Sequence, residues 1–309
     1  MTSYTSIASY VLAVKLRSAK TILVEGITDK KVLKRVLLEH TIPSPGTPAY
    51  LIDDASMIND AVKLAGKGNK EKLLDVSEAF GETSNQFKYL ADREWEGWNF
   101  TAPMTQDEPR PRNTGLLTKG HSIENYWFLE SALAAYLKTA HPEHLTADFF
   151  QKLNTRFDEI LRFAASYSLA VKDAQAITRC NALLSEIHIL WDGDTYVLLD
   201  SFQDYLRTRG NEQQIYELWK ERHLLLSTAG ADTLQWLCHG HLGEEAIRCC
   251  TASLAKEFGV SRATLCAIER GSKSEKMAHD ASHIAQLPQE LIEPIGQLIT
   301  WVKGADVAS

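Results

Sequence analysis

The stretch ILVEGITDKKVL, residues 22–33, decides how the first part of the chain is read. Ile22, Leu23 and Val24 form an unbroken apolar run, the mark of a strand covered on both faces, and such strands belong to parallel sheets. Glu25 ends the run and Gly26 follows at once. Beyond them the period changes: Val32, Leu33, Val36 and Leu37 lie three and four apart, as on one apolar stripe of a helix. Thr28 or Asp29 is placed to cap that helix. Strand, turn and helix together predict a βα unit. A carboxylate at the mouth of a buried strand loses hydration unless something positive meets it.

Outward from this unit the same alternation continues to about residue 130. After the proline-rich turn TIPSPGTP (41–48), AYLI (49–52) resumes as a strand. Residues 57–80 read as helical in part, broken by the glycines of AGKGNK (65–70). FKYLA (87–91) is a strand running into DREWEG (92–97), and a polar loop follows from Trp98 to Asn113. TGLLT (114–118) is a short strand, leading through KGHSIENYWFLE (119–130) into a helix. Helical periodicity then dominates, in LESALAAYLKTA (129–140), FFQKLNTRFDEILRFAASYSLAV (149–171) and NEQQIYELWKERHLLL (211–226), with a small β element near ILWDGDTYVLL (189–199). The prediction is an α/β domain with a mainly parallel sheet over 1–130. A mostly α-helical domain over 131–309 follows it, for dimerisation, substrate or partner binding.

Composition sets the bounds. A chain of 309 residues buries a sizeable core in one or two domains. Its net charge of -7 argues against indiscriminate binding of polyanions. Basic clusters at Lys63, Lys67, Lys70 and Lys72, and at Arg110, Arg112 and Lys119, still leave nucleic acid open as a substrate. No apolar stretch is long enough to cross a bilayer, and the run Val11 to Val14 is too short for the core of a signal peptide. Five cysteines in no framework pattern fit a reducing cytoplasm.

Acidic residues recur just past the β-like runs: Glu25 after ILV, Asp92 and Glu94 after FKYLA, and Glu124 after GLLTKGHSI. In a parallel sheet the carboxyl ends of the strands share one edge, where α/β proteins bind ligands. Carboxylates gathered there repel one another unless a hard divalent cation joins them, and oxygen ligands with room for water suit Mg2+ or Mn2+. Gly26 would let a phosphate approach the backbone closely. The plainer reading is a set of solvated acids at strand ends.

ILVEGITDKKVL, YLADREWEG and HSIENYWF resemble the Toprim metal-binding fold in the version found in OLD-type nucleases. The branch that fits best works beside an ABC-type ATPase in bacterial anti-phage defence, where the Toprim subunit is the toxic effector. The shared order is strand-Glu-Gly-x-x-Asp, strand-Asp-x-acid, then SIENY, and it covers about the first 130 residues. The resemblance implies that Glu25 is the catalytic glutamate and Asp92 the first acid of an Asp-x-Asp metal motif. Glu94 stands where a second aspartate is usual, and its longer arm is a departure. Asp29 matches the motif's aspartate, and Glu124 and Asn125 match the branch's own motif, with metal or supporting roles. The expectation is a Mg2+- or Mn2+-dependent phosphodiesterase. Glu25, Asp92, Glu94 and Glu124 would hold the ion, or Glu25 would prepare the water, and Lys119 would stabilise the phosphate. His121 is either a proton carrier or a packing residue. The resemblance also implies RNA, in particular transfer RNA, as substrate, restraint by the ABC-type ATPase, and a homodimer when active.

Three other signals compete. SLAKEFGVSRATLCAIERGSK (253–273) reads like a repressor-type helix-turn-helix. In it Leu254, Ala255 and Phe258 would pack, Gly259 would turn, Ser261 would cap, and Arg262 and Thr264 would face a groove. That would make the chain a DNA-binding regulator. CHGHLGEEAIRCC (238–250) gathers Cys238, His239, His241, Cys249 and Cys250 without zinc-site spacing, so buried thiols are expected. WDGDTY (191–196) offers Asp192 and Asp194 as a rival metal pair, or as a tight glycine-containing turn. A Toprim scaffold that binds metal and nucleotide without cutting is a further alternative.

Overall fold

The computed structural model describes residues 3–41, 49–81, 85–101, 104–107, 115–180, 182–209, 214–271 and 273–304. Most of the turn expected at 41–48, and Arg110 and Arg112, lie outside the described residues. The chain divides into two compact units. One comprises Met1–Gly97, Asp107–Ile123 and Ala281–Ser309, the other Trp98–Gln106 and Glu124–Asp280. The protein is mixed α/β, a parallel sheet followed by a mostly helical region.

In chain order the first unit runs α1 (Ile7–Lys15), β1 (Lys20–Val24), α2 (Ile27–Thr41), β2 (Tyr50–Asp54), α3 (Asn69–Phe80) and β3 (Phe87–Ala91). A two-stranded ribbon, β4 (Trp98–Asn99) and β5 (Thr105–Gln106), belongs to the second unit, and β6 (Gly115–Leu117) returns to the first. The four strands β2-β1-β3-β6 form one sheet, parallel throughout. Leu23, Phe87, Tyr89 and Ala91 meet Ile7, Tyr10 and Val14 of α1 and Leu73 and Val76 of α3 in one core. Each leucine, isoleucine, valine or phenylalanine among them, fully buried, stabilises the fold by about 1.5–3 kcal/mol. On α2 the expected stripe Val32, Leu33, Val36 and Leu37 is buried, and this helix packs on β1 and β2.

Two details sharpen the expectations. The helix sought within 57–80 occupies only Asn69–Phe80, after a short 3-10 turn at Ala55–Met57. Gly68 stands at its N-cap, and Glu71 reaches back to accept the Gly68 N–H at 2.9 Å, so the glycines mark its start. On β6, Gly115 lies opposite Tyr89 in register, and a Cβ there would come within 1.9 Å of the tyrosine ring. The glycine is the space into which the fully buried Tyr89 folds.

In the second unit α4 (Glu130–Ala140) precedes α5 (Ala147–Asp173), whose 27 residues span about 40 Å. Thr146 caps α5 by accepting the Phe149 N–H. The small β element expected near residue 190 is a hairpin of β7 (Ile189–Trp191) and β8 (Tyr196–Leu198). It is followed by α6 (Asp200–Arg209), α7 (Gln214–Leu225), α8 (Ala231–Leu237), α9 (Gly240–Glu257), α10 (Arg262–Arg270) and α11 (Lys273–Ala285), of which the residues up to Asp280 belong to this unit. Helix α5 is the spine, packed against α4, α7, α8 and α9. In the first unit the final helix, α12 (Ile295–Lys303), packs against α2. Among the described residues no helix is long and apolar enough to cross a membrane.

Candidate functional site

The sheet order sets the location. From β1 the next strand in sequence lies on one side and β3 lies on the other, so the strand order reverses between β1 and β3. At such a switch point the loops leave in opposite directions and open a crevice at the carboxyl ends of the strands. Val24 pairs with Leu90, so the two strands end within a residue of each other. Glu25 follows the last residue of β1, and Asp92 follows the last residue of β3. Glu25 Oε1 accepts the backbone N–H of Asp92 at 2.9 Å, and both residues are half-buried. Two residues far apart in sequence are thus brought together at the crevice.

Gly26 and Asp29 follow from helix geometry. Helix α2 begins at Ile27, which puts Gly26 at the N-cap and Asp29 three residues on. Asp29 Oδ2 accepts the Gly26 N–H at 2.9 Å. Asp29 therefore caps by reaching back from the first turn, where a carboxylate also favours the positive end of the helix. Thr28 and Asp29 lie inside the helix, not at the N-cap. A Cβ at Gly26 would meet only Asp29 Oδ2, at an ordinary 3.5 Å, and the backbone there is not left-handed. The fold does not require glycine at 26.

The loop after β3 is organised by Arg93, which sequence reading passed over as a loop residue. Arg93 is 2% exposed. Its N–H donates to Thr118 Oγ1 at 2.9 Å, its Nε to the Glu96 carbonyl at 2.7 Å, and its Nη2 to the Asp107 carbonyl. Its Nη1 reaches the Lys119 carbonyl at 3.5 Å, and the Glu94 N–H donates to the His121 carbonyl at 2.7 Å. The loops after β3 and β6 are thereby laced together. Glu94 adopts a φ of 58°. Its exposed carboxylate lies 3.4 Å from Lys70 Nζ, with Glu96 at 3.9 Å from the same ammonium. Lys119 is on the exposed part of the β6 loop. His121 is buried with its ring edge-on to Trp95 at 4.4 Å, a packing contact.

Sequence reading also missed Asp54, the last residue of β2 and the register partner of Val24. Its carboxylate lies 3.1 Å from Lys30 Nζ on α2 and accepts from Ser56. Burial works against its ionisation, but the hydrogen bonds from Ser56 and Lys30 prevail and hold the carboxyl below its ordinary range. The run LIDDA could have signalled it, being another apolar run that ends in acids.

Among the described residues no three His, Cys, Asp or Glu side chains gather closely enough to hold a metal ion. Glu25 and Asp92 nonetheless suit hydrated Mg2+, which keeps several waters and takes one or two carboxylates. Glu94 would have to leave Lys70 to join them. Glu124 belongs to the second unit, buried, with His241 Nδ1 3.8 Å from its carboxylate. Asn125 is fully buried and donates to the carbonyls of Gln235 and Cys238 at 2.6 and 2.9 Å. Its role is to brace the α8–α9 turn.

Asp192 Oδ1 accepts the N–H groups of Asp194 and Thr195, both at 2.9 Å, so this pair builds the β7–β8 turn. Cys238, Cys249 and Cys250 are buried, and burial pushes their thiols well above the ordinary range. Helices α9 and α10 form a helix-turn-helix, with Gly259 at a φ of 70° and Ser261 capping through the Thr264 N–H. The expected contacts differ, however. Thr264 is buried against the unit, Arg262 is paired with Glu186, and Phe258 is 37% exposed while touching Phe149 edge-on. No protein-family model and no curated protein sequence matches the chain.

Proposed function

We propose that the chain is a Mg2+- or Mn2+-dependent Toprim endonuclease. One observation carries this reading: Glu25 and Asp92 are joined at the switch point of a parallel sheet, where ligands of α/β proteins bind. A bound divalent ion would supply charge neutralisation at the phosphate and an acidified water. Glu25 and Asp92 provide its carboxylate oxygens, with Glu25 also fixing the Asp92 backbone. Lys70, 3.4 Å from Glu94, keeps the loop's acids from repelling one another before the ion arrives. Lys30 does the same for Asp54. Lys119, exposed on the β6 loop, would meet a substrate phosphate.

The resemblance extends the proposal to a toxic effector of bacterial anti-phage defence. It would cleave RNA, in particular transfer RNA, in the cytoplasm as a homodimer, and an ABC-type ATPase would restrain it until needed. Incubating the purified protein with total RNA and with plasmid, with Mg2+ or with a chelator, tests the activity. Metal-dependent cleavage supports it; intact nucleic acid under all conditions overturns it.

A non-cleaving Toprim scaffold is favoured by one observation, the hold of Lys70 on Glu94, which leaves the acids dispersed. A DNA-binding regulator would draw on α9 and α10, yet the exposed face of α10 offers Ala263 and Ala267 between Arg262 and Arg270. Arg262 is held by Glu186, which leaves Arg270 and the two alanines for base contacts.

A further inference from the structure

Within the second unit, the start of α9 opens on a cleft of about 690 Å³. This lies in the range of small-molecule sites and is far larger than a lone phosphate needs. The α8–α9 turn, which carries His239 and His241, borders it. Asn125 holds the Gln235 and Cys238 carbonyls, while Gln235 donates back to the Asn125 carbonyl at 2.8 Å. The turn that carries His239 and His241 is therefore rigidly held. His239 Nδ1 caps α9 by accepting the Leu242 N–H, and the His239 N–H donates to Ser168 Oγ at 3.0 Å.

Both carboxylates that line the cleft are already engaged. Glu245 is buried and spends its carboxylate on the N–H groups of Ala182 and Leu184, at 2.8 and 2.9 Å. Glu244 is matched by Arg248 at 3.0 Å, and Arg248 is further fixed by the Glu269 carbonyl. Arg270 is exposed at the rim, and among the described residues no carboxylate pairs with it. The exposed imidazole of His241, whose Nδ1 lies 3.8 Å from the Glu124 carboxylate, and the start of α9 line the same space. Leu242 and Ile177 supply an apolar wall, and Thr178 a hydroxyl.

We propose that this cleft binds a phosphate monoester of mononucleotide size. Arg270, His241 and the start of α9 take the phosphate, and the Leu242–Ile177 wall takes the organic part. The assignment does not rest on the nuclease reading.

Isothermal titration of the full chain with AMP, adenosine and inorganic phosphate tests it. Saturable AMP binding is expected, with adenosine and phosphate each at least about tenfold weaker. R270Q and H241N should each weaken AMP by roughly tenfold; Arg270 is exposed, so its variant keeps the fold. E25Q, in the first unit, should bind AMP as the wild type does. Absence of saturable AMP binding, or binding unmoved by both R270Q and H241N, overturns the proposal. So does adenosine or phosphate binding as tightly as AMP, or loss of AMP binding in E25Q.

Discussion

Glu25 Oε1 accepts the backbone N–H of Asp92 at 2.9 Å, tying the ends of β1 and β3 together where the strand order reverses. This bond gives Glu25 a structural duty apart from any chemistry. E25A strands a half-buried amide and should cost about 1–3 kcal/mol, whereas E25Q keeps an acceptor oxygen and should cost less than about 1 kcal/mol. Urea denaturation of the two variants measures the difference.

Arg93 and Gly97 form a second such pair. Gly97 has a φ of 75°, and a Cβ there would lie 2.8 Å from Arg93 Nη2. G97A therefore combines a left-handed backbone with displacement of a pinned guanidinium, and should destabilise by about 1–3 kcal/mol. R93M leaves the Glu96 and Asp107 carbonyls without their donor and should cost about 2–4 kcal/mol. Denaturation midpoints report both.

Tyr89 and Gly115 should couple strongly. G115A overpacks the ring and is expected to cost about 3 kcal/mol or more. Adding Tyr89→Ala makes room, so the double variant should be clearly less destabilised than the sum of the singles. Simple additivity in a double-mutant cycle would contradict the contact.

His239 gives the second unit an acid sensitivity. Burial, aided by the neighbouring His241, pushes its pKa down from 6.5 to about 4. The unfolded chain therefore binds a proton between those values that the folded chain refuses. Stability from this source is full above pH 6.5 and is lost as pH falls toward 4, by up to about 3 kcal/mol. H239N keeps a helix-capping residue and removes the titration, so its stability should fall less steeply between pH 7 and pH 4.5. Chemical denaturation at the two pH values checks this.

The legible parts of the molecule are those written in local pattern. FKYLA is β3 from end to end, the stripe of α2 follows from spacing, and a β element is legible where the β7–β8 hairpin lies. Glu25 and Asp92 stand out because each directly follows an apolar run. What escapes the sequence depends on distant partners. Asp54 gains its meaning from Lys30 on α2, and Arg93 is buried by carbonyls supplied from 96, 107 and 119. Glu94 is next door to Asp92 in sequence, yet its left-handed backbone and Lys70 hold its carboxylate elsewhere. The return of Ala281–Ser309 to the first unit is likewise a long-range event with no local sign.

The central claim is that Glu25 and Asp92 are the core of a metal-dependent nuclease site. Its most direct test compares wild type with E25Q in cleavage of total RNA in Mg2+, after both are shown to be equally folded. The account predicts cleavage by the wild type and a loss of at least about a hundredfold in E25Q. Undiminished cleavage by E25Q would contradict it.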